Sequence, residues 1–262
     1  MKQGPIGIFD SGVGGTSIWR EVQKGLPNED TIYLADGKNA PYGEKTKKSI
    51  RELSVKNTEL LLQHGCKLIV VACNTATTNA ISVLREKYPV PFVGIEPAIK
   101  PAALESELGI VGVLATRGTL ASELFHKTSL DHANHIEILE QEGTGLVELI
   151  ESGHIHSEKT KKLLGKYVEP MLAKGIDHLV LGCSHYPYLI PVLREMVPPH
   201  IKIIDSGEAV ARQTRAMLEK YDLLNGQKNE GKHRFYSNTD VTVLTKLLGK
   251  VDVHMEVSGL DF

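Results

Sequence analysis

Two cysteines sit at the ends of two apolar runs. In KLIVVACNTA (67–76), Leu68–Val71 is followed by Ala72, Cys73, Asn74 and Thr75. In DHLVLGCSH (177–185), Cys183 is followed by Ser184 and His185. Laid over each other without gaps, HGCKLIVVACNT (64–75) and KGIDHLVLGCSH (174–185) match Gly65 to Gly175 and Cys73 to Cys183. An unperturbed thiol titrates near pH 8.5, so both of its protonation states are within reach near neutrality. Two equivalent thiols on opposite sides of one carbon suit one chemistry in particular. One thiol takes a proton from one face and the other delivers a proton to the opposite face, which is racemisation at a carbon acid.

Other thiol chemistries fit less well. A metal site asks for more ligands at short spacing, such as CxxC or HxxxH, and these two thiols are 110 residues apart. A cysteine phosphatase would need CxxxxxR, but the sixth residue after Cys73 is Asn79 and after Cys183 it is Leu189. A cysteine hydrolase leaves the second thiol without a task. Redox pairs are usually close in sequence. Each thiol taken singly can be read as inert and buried; their matched positions argue for function. Cys66 falls opposite Ile176 at the start of its run and reads as a small buried hydrophobe.

The elements that must position these residues are short apolar strands alternating with helix-period stretches. Strands are predicted at 5–9, 31–35, 67–72, 91–95, 109–114, 135–139, 177–182 and 201–204. Continuous apolar strands between helices predict an α/β fold with largely parallel sheets covered on both faces. In open sheets of this kind ligands bind at the carboxyl ends of strands, where both thiols sit. The small polar residues beside them and the amides of the following helix offer donors to an anion. The echo extends upstream: EKTKK recurs at 44–48 and 158–162, and GIFDSG (7–12) resembles GVLATRG (112–118), pairing Ser11 with Thr116. The expectation is two similar doubly wound domains related by a pseudo-twofold axis, 1–97 plus 208–262 and 98–207, with the active site in the cleft between them. The chain would cross at GIEPAIKP and return at IIDSGEA. From about 232 a strand, a helix and a strand should pack back onto one sheet, after an exposed loop at 225–232.

Composition narrows the class. With 262 residues and a formal net charge of −2, nothing pushes the chain electrostatically toward nucleic acid or membrane. No apolar run approaches the roughly 18 residues of a membrane span, and MKQGPIGIFD has neither a long apolar core nor a small-residue cleavage site. Three cysteines make no disulfide framework, which fits a reducing, cytoplasmic setting. Gly12, Gly14 and Gly15 do not complete GxGxxG, and no lysine is marked for pyridoxal phosphate, so neither cofactor nor metal is expected.

FDSGVGG (9–15), PYG (41–43), ACNTA (72–76), GIEPA (94–98) and GCSHYP (182–187) occur in order over nearly the whole chain. Together they resemble the cofactor-independent glutamate racemases of the aspartate/glutamate racemase family. The resemblance implies a two-domain α/β fold with the site between domains. It also implies interconversion of L- and D-glutamate, supplying D-glutamate for peptidoglycan and so for cell-wall biogenesis and cell shape, and a homodimer. The last motif usually reads GCTHYP; Ser184 keeps the hydroxyl.

By the same resemblance, Cys73 handles the proton on the D face and Cys183 on the L face, and Asp10 assists Cys73. Glu151, in LVELIESG, matches a family carboxylate near the second thiol; on sequence alone it is an acid on a helix. Asp10 before GVGG is also a good helix N-cap. His185, two residues after Cys183, is expected on the same side of an extended segment, to bond substrate or relay protons. Ser11, Tyr42, Gly43, Asn74, Thr75, Thr116, Thr119 and Ser184 offer hydroxyls, a carboxamide and backbone amides to the carboxylates of glutamate. Asp10, Pro41 and His185 complete the substrate set, although PYG on its own reads as a turn. Two alternatives stay open: a related two-cysteine racemase or isomerase for aspartate, hydantoins or maleate-like diacids, and a non-catalytic amino-acid-binding module.

Overall fold

The computed structural model describes residues 4–132, 136–249, 251 and 253–262, so residues 1–3 and His135 of the predicted strand 135–139 lie outside it. The first half runs β1 (Ile6–Asp10), α1 (Thr16–Gly25), β2 (Thr31–Ala35), α2 (Lys47–Gln63), β3 (Leu68–Val71), α3 (Asn74–Lys87) and β4 (Phe92–Gly94). The chain continues through α4 (Ile99–Glu105), β5 (Ile110–Ala115), α5 (Arg117–Leu120), α6 (Glu123–His132), β6 (Glu137–Glu142) and α7 (Leu146–Glu151). Then come α8 (Glu158–Ala173), β7 (His178–Gly182), α9 (Ile190–Met196) and β8 (Lys202–Ile204). Last are α10 (Gly207–Lys220), β9 (His233–Ser237), α11 (Thr242–Leu248) and β10 (Met255–Gly259).

These strands form two parallel sheets, ordered β10-β9-β2-β1-β3-β4 and β6-β5-β7-β8. The echo in the sequence becomes an identity of topology: β2-β1-β3-β4 in one sheet has the order of β6-β5-β7-β8 in the other. The register agrees as well. Phe9 pairs with Val71, two residues before Cys73, and Leu114 pairs with Leu181, two residues before Cys183. Ser11 and Thr116 are therefore equivalent positions. The tail strands β9 and β10 extend the first sheet beyond β2, as the change of texture near residue 232 predicts.

β3 and β7 are buried along their whole length, as runs of Val, Leu and Ile in a parallel sheet covered by helices must be. The helix before each strand ends on a glycine with positive φ, Gly65 at +77° and Gly175 at +79°. That conformation returns the chain toward the sheet at no Cβ cost. After α2 the amides of Gly65 and Cys66 bond the carbonyls of Leu62 and Leu61, so Cys66 occupies the position whose apolar side chain closes this helix end. Ile176 has the equivalent place and is also buried. The EKTKK repeat does not superpose in the same way. Thr46 caps α2 by accepting from the Ser49 amide, whereas α8 is capped by Ser157, and Thr160 instead donates to the His154 carbonyl. A continuous apolar core runs from Trp19 and Tyr33 at the first sheet to Leu146, Leu179 and Tyr186 at the second.

Candidate active site

The carboxyl ends of β1, β3 and β7 bring Asp10, Cys73 and Cys183 together. Both thiols line one small cavity, with Ser11, Pro41, Tyr42, Gly43, Asn74, Thr75, Thr116, Ser184 and His185 around it. Asp10, Thr119 and Glu151 stand directly behind this lining. The cavity wall also contains Val147 of α7, an apolar residue of LVELIESG not singled out in the sequence, which reaches the site through tertiary placement.

Cys73 caps α3. Its sulfur accepts from the Ala76 amide at 3.4 Å, and its thiol donates to Ser11 Oγ across 3.7 Å. Burial pushes this thiol far above the ordinary range and the nearby Asp10 charge adds to the effect, so at rest it holds its proton. Cys183 has a different neighbourhood, with its sulfur 3.8 Å from His185 Nδ1.

The segment after Cys183 is not extended. His185 has right-handed helical angles (φ −77°, ψ −32°), and the Tyr186 amide bonds the Cys183 carbonyl. The tight turn, rather than the alternation of a strand, folds the imidazole back onto the thiol. Its Nε2 donates to Glu151 Oε1 at 2.5 Å, and the same oxygen accepts from the Val13 amide at 2.7 Å. His185 Nδ1 lies 4.0 Å from Asp10 Oδ2. Burial alone would drive the imidazole toward neutrality. Its contacts with Cys183 and Glu151 and the charge of Asp10 outweigh that, holding it cationic well above its usual range.

Asp10 is fully buried. It accepts from the amides of Gly15 (2.9 Å) and Gly12 (3.3 Å) and from Ser184 Oγ (3.0 Å). It is therefore not the α1 cap itself, which is Gly15, but it does satisfy that residue's amide. Burial raises its carboxyl, with the His185 charge and these hydrogen bonds acting against the rise. The bond to Ser184 joins the two halves, while Asp10 reaches Cys73 through its charge.

Hydroxyls and an unpaired carboxamide gather on the other side. The hydroxyls of Thr75, Thr116 and Thr119 form a triangle with sides of 2.8, 3.0 and 3.4 Å across the two halves. Asn74 is buried, and neither its amide nitrogen nor its carbonyl oxygen has a partner. Buried polar groups are normally satisfied, so an unsatisfied carboxamide lining a cavity marks a place for a ligand. The Tyr42 hydroxyl is not available in this way: it donates to Asp36 Oδ2 at 2.5 Å and accepts from Asn57 Nδ2 at 3.0 Å. Asp36 and Asn57 carried no signal in the sequence. Among the described residues, no group of three or more His, Cys, Asp or Glu side chains is arranged to hold a metal ion.

Comparison with known proteins points the same way as this geometry. The family model for Asp/Glu/Hydantoin racemase matches residues 7–214. The glutamate racemase of Ectopseudomonas mendocina (strain ymp) is 48% identical over 261 residues, covering 97% of this chain and 99% of that protein. Among solved structures, glutamate racemase isoform RacE1 from Bacillus anthracis superposes with a TM-score of 0.88 at 27% identity, covering 100% of this chain and 99% of that one. Escherichia coli glutamate racemase, in complex with L-glutamate and the activator UDP-MurNAc-ala, has a TM-score of 0.85 at 33% identity and 98% coverage of both chains.

Proposed function

The chain belongs to the Asp/Glu/hydantoin racemase family, and we propose that it interconverts L- and D-glutamate with Cys73 and Cys183 as the two proton-transfer groups. The observation that carries this reading is the pairing of two thiols at register-equivalent strand ends on one cavity. A binding module has no use for the second thiol. The 48% identity with a glutamate racemase favours glutamate over aspartate or another diacid.

In the L-to-D direction Cys183, as thiolate, removes the α-proton. The His185 cation balances the charge on that sulfur and is itself held by Glu151. The threonine triangle, already held together by its own hydrogen bonds, and the buried Asn74 amide stabilise the carboxylate as negative charge spreads into it. Cys73, whose burial keeps its proton in place, delivers that proton to the opposite face. The reverse direction exchanges the roles. The halves 1–97 plus 208–262 and 98–207 are our domain division, with the reaction in their shared cleft. The product would serve peptidoglycan synthesis in the cytoplasm, and the protein would act as a homodimer. Among the described residues, no helix is long and apolar enough to cross a membrane.

The test is circular dichroism of L-glutamate incubated with the purified protein and no added cofactor. Decay of the signal to zero supports the assignment. A steady signal, or decay with aspartate alone, refutes it.

A further inference from the structure

The 41–43 turn lines the reaction cavity, but what fixes it lies behind it. On the first sheet β2 and β9 are neighbours, and their carboxyl ends deliver Asp36 and Asn238. Asp36 is fully buried. Its Oδ1 accepts from Asn39 Nδ2 at 2.8 Å and from Asn238 Nδ2 at 2.6 Å, and its Oδ2 accepts the Tyr42 hydroxyl at 2.5 Å. Asn57 of α2 donates to the same hydroxyl oxygen, while its own carbonyl oxygen is buried without a partner. Asn238 also accepts from the Lys38 amide at 2.9 Å, tying down the start of the segment that leads to Tyr42.

The far side of the turn meets the second half closely. A Cβ on Gly43 would lie 2.8 Å from Thr116 Cβ, and a Cβ on Gly118 would lie 3.1 Å from Gly43 Cα. A shift of the turn at Gly43 would press on Thr116, which hydrogen-bonds Thr75 and Thr119. A hydrogen bond to a carboxylate is about twice as strong as one between neutral groups. Removing the Asp36 carboxylate leaves the donors of Asn39, Tyr42 and Asn238 without their acceptor at once.

We propose that Asp36 is a positioning residue for the racemisation. By accepting the Tyr42 hydroxyl, it holds the 41–43 turn in the cavity wall, where it abuts Thr116. This rests on the racemase reading above. It makes the network from Asp36 to Tyr42 part of substrate binding rather than of the proton transfers.

The experiment is a double-mutant cycle on the full chain, with Asp36→Ala, Tyr42→Phe and the pair, reading KM and kcat for glutamate in both directions. Tyr42→Phe keeps the ring and its packing, so it carries the test even if Asp36→Ala does not fold. Val111→Ala, a core truncation at the amino end of β5 in a different apolar cluster from Tyr42, is the stability control. The expected result is a rise in KM of about tenfold with kcat within about twofold for each single variant, and a double variant no worse than the poorer single. Val111→Ala should lower the melting temperature without raising KM. An unchanged KM in Tyr42→Phe, or single effects that add in the pair, would overturn the proposal. Absence of turnover by the unmodified protein in the same assay would refute the racemase reading instead, and binding of D-glutamate to the same variants by calorimetry would then judge Asp36 by the same tenfold criterion.

Discussion

Gly14 lies directly against the imidazole of His185: a Cβ built at position 14 would stand 2.2 Å from Nδ1. Beside it, a Cβ on Gly12 would stand 1.9 Å from Glu151 Oε1. The Gly-rich turn after β1 is bare, and Glu151 and His185 rest directly on it. Gly14→Ala should therefore fold but displace His185. We expect kcat to fall on the order of a hundredfold, with a lower melting temperature because the part-buried His185–Glu151 pair is disturbed. A variant with normal kcat would show that His185 tolerates displacement and has no close role.

The three cysteines should separate cleanly. Cys73→Ala and Cys183→Ala should each lose racemisation in both directions, by at least about 10²-fold to 10⁴-fold, the range for losing an acid–base group. Cys66, buried beneath β1 with its thiol pushed up to about 12, has no place at the cavity. Cys66→Ala should keep full activity at a packing loss of about 1 kcal/mol in urea denaturation. Near-normal racemisation by Cys183→Ala would defeat the two-thiol mechanism.

Hydrogen isotopes report on the two faces. In heavy water the Cys73 thiol exchanges before substrate binds, so D-glutamate formed from L-glutamate should carry α-deuterium from its first appearance. The remaining L-glutamate should carry little at early times, because the abstracting sulfur holds the substrate's own hydrogen. Mass spectrometry of the separated enantiomers measures both. Early, equal deuterium in the two would point to a single mobile base.

Asn74 gives a case in which binding and stability should move apart. Its carboxamide is buried without partners, which is a liability in the free protein. Asn74→Ala should melt at the same temperature or higher, since alanine also suits the first turn of α3 better. At the same time KM for glutamate should rise about tenfold. A fall in melting temperature with unchanged KM would mean that the side chain is structural.

Asp177 predicts an acid-limb effect far from the cavity. Burial works to raise its carboxyl, but bonds from the Leu108 amide, His178, Ser106 and the Glu107 amide bring it down to about 2, from an ordinary value of 3.8. Because the folded value is depressed, its contribution to stability is present above about pH 4 and is lost as pH falls toward 2. The stability gap between the unmodified protein and Asp177→Asn, measured by urea denaturation, should narrow over that window. A constant gap would show that the carboxylate charge is not what these bonds favour.

Much of this was legible in the residues, for physical reasons. Strands buried on both faces must be continuous apolar runs, and so β3 and β7 stand out. A duplicated strand–turn–helix repeats both its apolar run and its helix-stopping glycine, and so Gly65 and Gly175 set the register of the echo. What escaped reading depends on contacts distant in sequence. The right-handed turn at His185 follows from the packing of Glu151 and Gly14 against it. The capture of the Tyr42 hydroxyl needs Asp36 and Asn57, which sit at the end of one strand and on one helix and share no motif. Val147 is an ordinary apolar helix residue until topology places it at the cavity. EKTKK recurs as letters but sits at a different helical position in each half.

The two thiols occupy equivalent strand ends, yet one is surrounded by neutral hydroxyls and a buried carboxyl and the other by an imidazolium. Enantiomers have equal free energies in water, so kcat/KM must be the same in the two directions whatever the protein does. That lopsided setting can only redistribute each direction's share between affinity and turnover. A lesion confined to either half, at Asp10 or at Glu151, must lower both catalytic efficiencies by the same factor. No substitution in this chain can yield a one-way enzyme.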